Sequence, residues 1–303
     1  MRMSEEKKER DIREEAREVF RRFYEKTRDI RRATTETVKE IADRTLKGVS
    51  PSKEKVKEIT EGIVEGIQRT FRDISSKASE VVAGVLEGVE EATRRERREE
   101  CLKIIKERRS ITFFDPNRDV PDEVIKEILN TAALTPSGYN LQPWEVIVVK
   151  SKEKKRKLRE ICYGQAKVEE ASANIVLIAN LRAAEEHVDR VLDSWVELGY
   201  ITAEERKPLR DRILKGWESP ERRKRKAVRD TAMFGMSIMI IARLYGLETH
   251  PMEGFDEARL KRFLRIGKDR IVPMIIAIGY KHPEKELLPR AYRFTFDEFG
   301  KIV

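Results

Sequence analysis

Across residues 1 to 98 the apolar positions recur at helical spacing, as at Ile59, Ile63 and Ile67, and one proline, Pro51, interrupts them. This pattern predicts an all-helical region. Within it, Glu58-Ile59-Thr60-Glu61-Gly62-Ile63-Val64-Glu65-Gly66-Ile67 matches Glu80-Val81-Val82-Ala83-Gly84-Val85-Leu86-Glu87-Gly88-Val89 at an offset of 22 residues, and a fainter copy runs from Glu40-Ile41 to Gly48-Val49. Glycine inside a helix costs about 1 kcal/mol relative to alanine. The pairs Gly62/Gly66 and Gly84/Gly88, each four apart on one face, therefore need a compensating reason, and close approach of a second helix supplies one. A self-packing or oligomerising helical hairpin is the preferred reading. An amphipathic helix lying on a membrane surface and a partly disordered tail are the alternatives; Glu61, Glu65, Glu80 and Glu87 around the glycines disfavour insertion into a bilayer.

Charge dominates at Arg94-Arg95-Glu96-Arg97-Arg98-Glu99-Glu100, and a domain boundary is placed there, between a region 1–98 and a domain 99–303. From residue 121 the pattern alternates. Pro121-Asp122-Glu123 opens a helix that runs through Leu134, and apolar runs at Val146–Val149, Ala173–Ala179 and Val272–Tyr280 read as buried strands, with helices through 182–246. Continuous apolar strands separated by helices imply a central sheet covered on both faces.

Composition narrows the function classes. The 303 residues carry a 39% hydrophobic fraction, enough for a substantial core. Charged residues also make up 39%, with only five Asn and three Gln, a balance suggestive of a thermophilic source. The net charge of +9 comes from 64 basic residues interleaved with 55 acidic ones, which indicates solvated, ion-paired faces rather than a nucleic-acid surface. Cys101 and Cys162 form no CxxC, and His187, His250 and His282 lack metal-ligand spacing, so neither a disulfide framework nor a metal site is expected. A reducing cytoplasm fits. The charged first ten residues argue against a secretory signal, and the apolar run Met236–Ala242 is too short to span a bilayer.

Three segments carry chemistry. Pro136-Ser137-Gly138-Tyr139-Asn140-Leu141-Gln142-Pro143-Trp144 sets a polar Asn/Gln pair in a rigid loop before a strand, suited to a planar ligand. Arg108-Arg109-Ser110-Ile111-Thr112-Phe113-Phe114 lies upstream, and Pro251-Met252-Glu253-Gly254-Phe255-Asp256 downstream. Read without a ligand, these are a helix C-terminus with basic residues, a Pro-punctuated loop with Trp144 as packing, and a helix start capped by Asp256.

In this order and at these separations the segments resemble the FMN-dependent nitroreductase family over about residues 99–292. The resemblance implies an α+β fold with a central mixed sheet, FMN at the interface of a homodimer, NAD(P)H as electron donor and an organic small-molecule acceptor such as a nitroaromatic or quinone, reduced by a ping-pong route. It implies no catalytic side chain, because flavin N5 carries the chemistry. The implied cofactor site comprises Arg108, Arg109, Ser110 and Thr112, then Pro136, Ser137, Asn140 and Gln142, then Pro251, Met252, Glu253 and Gly254, with Arg290 and Arg293 from Pro289-Arg290-Ala291-Tyr292-Arg293. Arg108 would take the phosphate and Ser110 the ribityl region, with Arg290 or Arg293 reaching the phosphate from the tail. Pro136 and Ser137 would face the flavin held by the other subunit, and the backbone amides of Glu253 and Gly254 would face flavin N5 and O4. One departure stands out: family members commonly place Arg or Lys where this chain has Thr112.

Segment 182–228, where specificity would be decided, offers Trp195, Tyr200 and Trp217 as an aromatic wall or as helix packing, and Glu221–Lys226 as a basic cluster for NAD(P)H phosphates or as a solvated face. Two rival readings are a flavin-binding or sensing protein without turnover, and a helical scaffold or membrane tether carrying a flavin domain.

Overall fold

The helical spacing of the first hundred residues folds, in a computed structural model that describes residues 2–27, 29–46, 53–68 and 78–303, into α1 (Arg2–Thr27), α2 (Ile30–Leu46), α3 (Lys53–Gln68) and α4 (Ala78–Glu107). The fainter repeat copy ending at Gly48-Val49 runs beyond the described residues. The chain divides into two compact units, Met1–Lys106 and Glu107–Val303, so the charge-rich stretch 94–100 lies inside α4.

In the first unit Ile12, Ala16 and Phe20 of α1, Val38, Ile41 and Ala42 of α2, Ile59, Ile63 and Ile67 of α3, and Val85 of α4 close one core. The glycines explain how the helices approach. A Cβ on Gly62 would lie 2.8 Å from Ile12 Cγ2, and one on Gly88 would lie 2.5 Å from Val38 Cβ and 2.8 Å from the Thr35 carbonyl oxygen. Their partners are helices of the same chain. No helix among the described residues is long and apolar enough to cross a membrane.

The second unit is built on a sheet of β1 (Trp144–Val149), β2 (Ala173–Asn180), β3 (Glu248–Met252) and β4 (Arg270–Gly279), ordered β1-β2-β4-β3. All three ladders are antiparallel, and the parallel component of the expected mixed sheet is a single bridge, Ser110 to Thr249, at the β3 edge. β2 is buried along its whole length, as its unbroken apolar run requires. β1 is only half-buried, because it forms the other edge. β3 was not foreseen: its five residues are short, polar in part and include Pro251, which a strand tolerates at an edge.

Helices cover both faces. α5 (Asp122–Ala132) and α10 (Pro220–Leu244) pack with Ile175, Leu177, Ile276 and Ile278, while α6 (Lys152–Ile161), α7 (Ala166–Glu170) and α11 (Glu257–Leu264) pack with Val176, Ile275 and Ala277. α8 (Ala183–Glu197) and α9 (Ala203–Gly216) close a third cluster around Trp217, which is 1% exposed. Trp217 is therefore packing, and Trp195 meets Tyr200 edge-on. A short helix, α12 (Phe296–Phe299), ends the chain.

Candidate functional site

Beyond Glu107 the backbone runs onto the open edge of β3. Ser110 bridges Thr249, the Ile111 N–H donates to the Thr249 carbonyl at 3.2 Å, and the His250 ring Nδ1 lies 2.6 Å from the Ile111 carbonyl, to which it donates. Burial of the Ile111 side chain fixes this short segment against the sheet. Arg108 and Arg109 are thereby held at one end of β3.

The tail reaches the same place. Arg290 donates from Nη1 and Nη2 to the Arg108 carbonyl at 3.4 and 3.3 Å, and Arg109 Nη2 donates to the Leu288 carbonyl at 2.7 Å. Arg293 turns inward on its own strand of tail, donating to the Tyr292 carbonyl at 2.8 Å. Arg108 Nη1 is buried and has no hydrogen-bond partner. Burial first, then the charges of Arg290 and Arg293, weaken the Arg108 guanidinium's hold on its proton, with Glu248 opposing them. Glu248 is itself paired with Arg243, and burial raises its carboxyl above the usual range. Positive charge with an unsatisfied buried donor is the chemistry of an anion site, because an oxyanion supplies both the missing acceptor and the compensating charge. A phosphate fits it.

The segment 251–256 follows directly from β3. Pro251 and Met252 are its last strand residues, with Met252 in the core. The Phe255 N–H turns back to the Glu253 carbonyl at 2.9 Å, the Asp256 N–H donates to the Ile161 carbonyl at 3.0 Å, and Asp256 caps α11 by accepting from the Arg259 N–H at 2.9 Å. Asp256 is thus a helix cap. Among the described residues the N–H groups of Glu253 and Gly254 have no acceptor, and both residues are exposed. They form a pair of free donors beside one another, the arrangement that a polarisable ring edge would meet.

Gln165 belongs to this group and was not foreseen. Its Nε2 donates to the Gly254 carbonyl at 2.8 Å. It sits between α6 and α7 behind two left-handed residues, Tyr163 (φ 54°) and Gly164 (φ 77°). The sequence signal was the Tyr-Gly-Gln turn itself, which carries no periodicity.

The loop 136–142 is held from elsewhere. The Gly138 N–H donates to Asp230 Oδ2 at 3.0 Å, where the carboxylate is wholly buried and also takes Arg229 Nε at 2.7 Å. Ser137 Oγ accepts the Gln142 N–H at 2.9 Å, and His187 Nδ1 meets the Leu141 carbonyl at 2.7 Å. Tyr139, Asn140 and Gln142 have φ of 54°, 53° and 45°, a run of left-handed backbone that the surrounding bonds must hold in place. Gln142 Nε2 bonds the Asn140 carbonyl at 3.2 Å, while Pro136 and the Asn140 side chain are exposed. Trp144 stacks on Phe234, with ring centroids 4.9 Å apart.

The structure therefore joins Arg108, Arg109, Ser110 and the tail arginines to the Pro251–Gly254 segment through β3. Thr112 is exposed two residues beyond the bridge. No hydrogen bond among the described residues links Pro136, Ser137, Asn140 or Gln142 to that group. The basic cluster on the first turns of α10 is partly committed, with Arg223 paired to Glu185 at 2.5 Å and Lys226 donating to the Gly216 carbonyl at 2.8 Å.

Comparison with known proteins places the chain in a family. The model of the nitroreductase family matches residues 105–280. The chain is 35% identical to an NADH dehydrogenase of Thermus thermophilus over 58% of this chain and 84% of that protein. It is 32% identical, over 59% of this chain and 87% of the other, to YdgI of Bacillus subtilis, which its name places among the NAD(P)H nitroreductases. A solved structure from Exiguobacterium sibiricum, determined in complex with FMN, superposes with a TM-score of 0.61 at 27% identity, covering 67% of this chain and 96% of that one.

Proposed function

The chain belongs to the nitroreductase family and is an NAD(P)H-dependent oxidoreductase, and from that premise we propose that it binds FMN and reduces an organic acceptor in a half-reaction separate from hydride uptake. The observation that carries the reading is the buried, unpartnered Nη1 of Arg108 beside Arg290 and Arg293. FMN, when bound, supplies the two-electron chemistry of its ring. The chain's own residues bind and orient. Arg108 would hold the phosphate with a permanently charged, planar fork, Arg290 and Arg293 would add positive potential, and Ser110 would serve the ribityl chain.

The free N–H groups of Glu253 and Gly254 present donors to the ring edge where negative charge develops. Asn140 and Gln142 offer both donors and acceptors to ribityl hydroxyls and ring polar atoms. From the family resemblance we assign Pro136 and Ser137 to the flavin of a second copy, so that two chains complete each site. Exposed apolar residues in the tail, Leu288, Tyr292, Phe294, Phe296 and Phe299, support a dimer that covers them.

Binding of FMN and riboflavin to wild type and to Arg108→Ala tests the reading. FMN should weaken by about 1.5–3 kcal/mol, the scale of a hydrogen bond to a charged group, while riboflavin is little changed. Equal losses for both ligands would separate Arg108 from the phosphate.

A further inference from the structure

We infer that Gln165 is a positioning residue for the redox centre: its side-chain amide clamps the Gly254 carbonyl and so fixes the direction of the Glu253 and Gly254 N–H groups. The inference rests on the FMN reading above. β3 ends at Met252 and α11 starts at Glu257, so the donors sit on a short connection, one residue of which lacks a Cβ and rotates freely. At its far end Asp256 is fixed by its cap on the Arg259 N–H. Two backbone bonds add to this, from Phe255 to the Glu253 carbonyl and from Asp256 to the Ile161 carbonyl. The bond from Gln165 Nε2 at 2.8 Å is the one a side chain makes to Gly254 itself.

The fit is mutual. A Cβ on residue 254 would come 3.1 Å from Gln165 Nε2, so the amide lies close against the glycine. The Gln165 backbone is held in turn: its N–H donates to the Cys162 carbonyl at 3.3 Å, and the preceding Gly164 N–H donates to the Arg159 carbonyl at 2.8 Å. An amide is also the appropriate donor because it is neutral at every working pH. A carboxylate here would repel the Gly254 carbonyl and add negative charge where electrons arrive, while an ammonium would bring a charge that must be desolvated.

The test compares wild type, Gln165→Met and Gln165→Glu in the full chain. Gln165→Met keeps the shape and loses the donor. With FMN bound it should show unchanged FMN affinity and unchanged KM for NADH, but anaerobic reduction by NADH slowed about tenfold, the factor equivalent to about 1.4 kcal/mol, one hydrogen bond. In the flavin-free protein, amide hydrogen exchange at residues 253–256 should be faster than in wild type. Gln165→Glu should be slow at high pH and recover as the pH falls, because the protonated carboxyl regains an O–H donor, whereas Gln165→Met shows no such recovery. Wild-type reduction and wild-type exchange in Gln165→Met, or absence of pH recovery in Gln165→Glu, would overturn the role. A wild-type chain that holds no FMN would instead overturn the FMN reading, and the exchange measurement would still report whether Gln165 clamps the turn.

Discussion

His250 ties the Arg108–Thr112 segment to β3, and its 2.6 Å contact to the Ile111 carbonyl requires a neutral or charged ring with Nδ1 protonated. Burial holds its pKa below the ordinary 6.5, the Ile111 carbonyl opposes that, and Lys167 adds to it. The unfolded chain therefore takes up a proton at 6.5 that the folded ring resists. Stability is fully present above 6.5 and is lost as pH falls toward the lower folded value. His250→Gln should flatten the thermal stability profile just below pH 6.5; an unchanged slope would assign the acid sensitivity to other groups. Thr112 gives a second expectation. A cation in its place would lie near the electron-rich side of the ring, so Thr112→Lys should raise the two-electron potential of bound FMN. A potential equal to or below wild type, in a variant that still binds FMN, would show that another cation already serves. At this scale Arg108 was singled out by the order of the three segments and not by its own motif, since Arg-Arg-Ser alone also suits a helix C-terminus; the buried, unpartnered Nη1 is what the structure adds. Gln165 was not singled out, since its partner is a backbone carbonyl 89 residues away and nothing local marks it.

Helix and strand patterns carry different amounts of information. The apolar run at β2 announced a strand because burial on both faces demands continuous apolar residues, whereas β3 hid in Glu248-Thr249-His250-Pro251-Met252, whose order comes from pairing with β4. The glycines of the first unit were read from spacing alone, and their packing yields a graded prediction. Gly88→Ala gains about 1 kcal/mol of helix propensity but overlaps the Val38 Cβ and the Thr35 carbonyl, neither of which can swing away, and such overpacking costs about 1–3 kcal/mol. Gly62→Ala meets only the Ile12 side chain, at 2.8 Å from Cγ2 and 3.4 Å from Cβ, a lighter overlap that involves no backbone. Far-UV circular dichroism melts of the full chain should show Gly88→Ala less stable than Gly62→Ala. The opposite order would mean that α4 and α2 do not approach as closely as described.

For the molecule as a whole, the charge-rich stretch at 94–100 marked a boundary a few residues before the division at Lys106, while a second copy was implied by the family resemblance and by no pattern of periodicity or charge in the chain. If two chains complete each site, removal of residues 1–98 should leave a dimer by light scattering, and FMN should stabilise it by linkage. A truncated monomer with full FMN affinity would refute that assembly. Whether this chain holds FMN and passes it electrons from a nicotinamide donor is read most directly from the visible absorption of the purified, FMN-reconstituted protein during anaerobic addition of NADH or NADPH. A flavin band should stay with the protein through desalting and bleach on addition of the donor; a band lost on desalting, or one retained but unbleached by either donor, would refute FMN-dependent reduction by this chain.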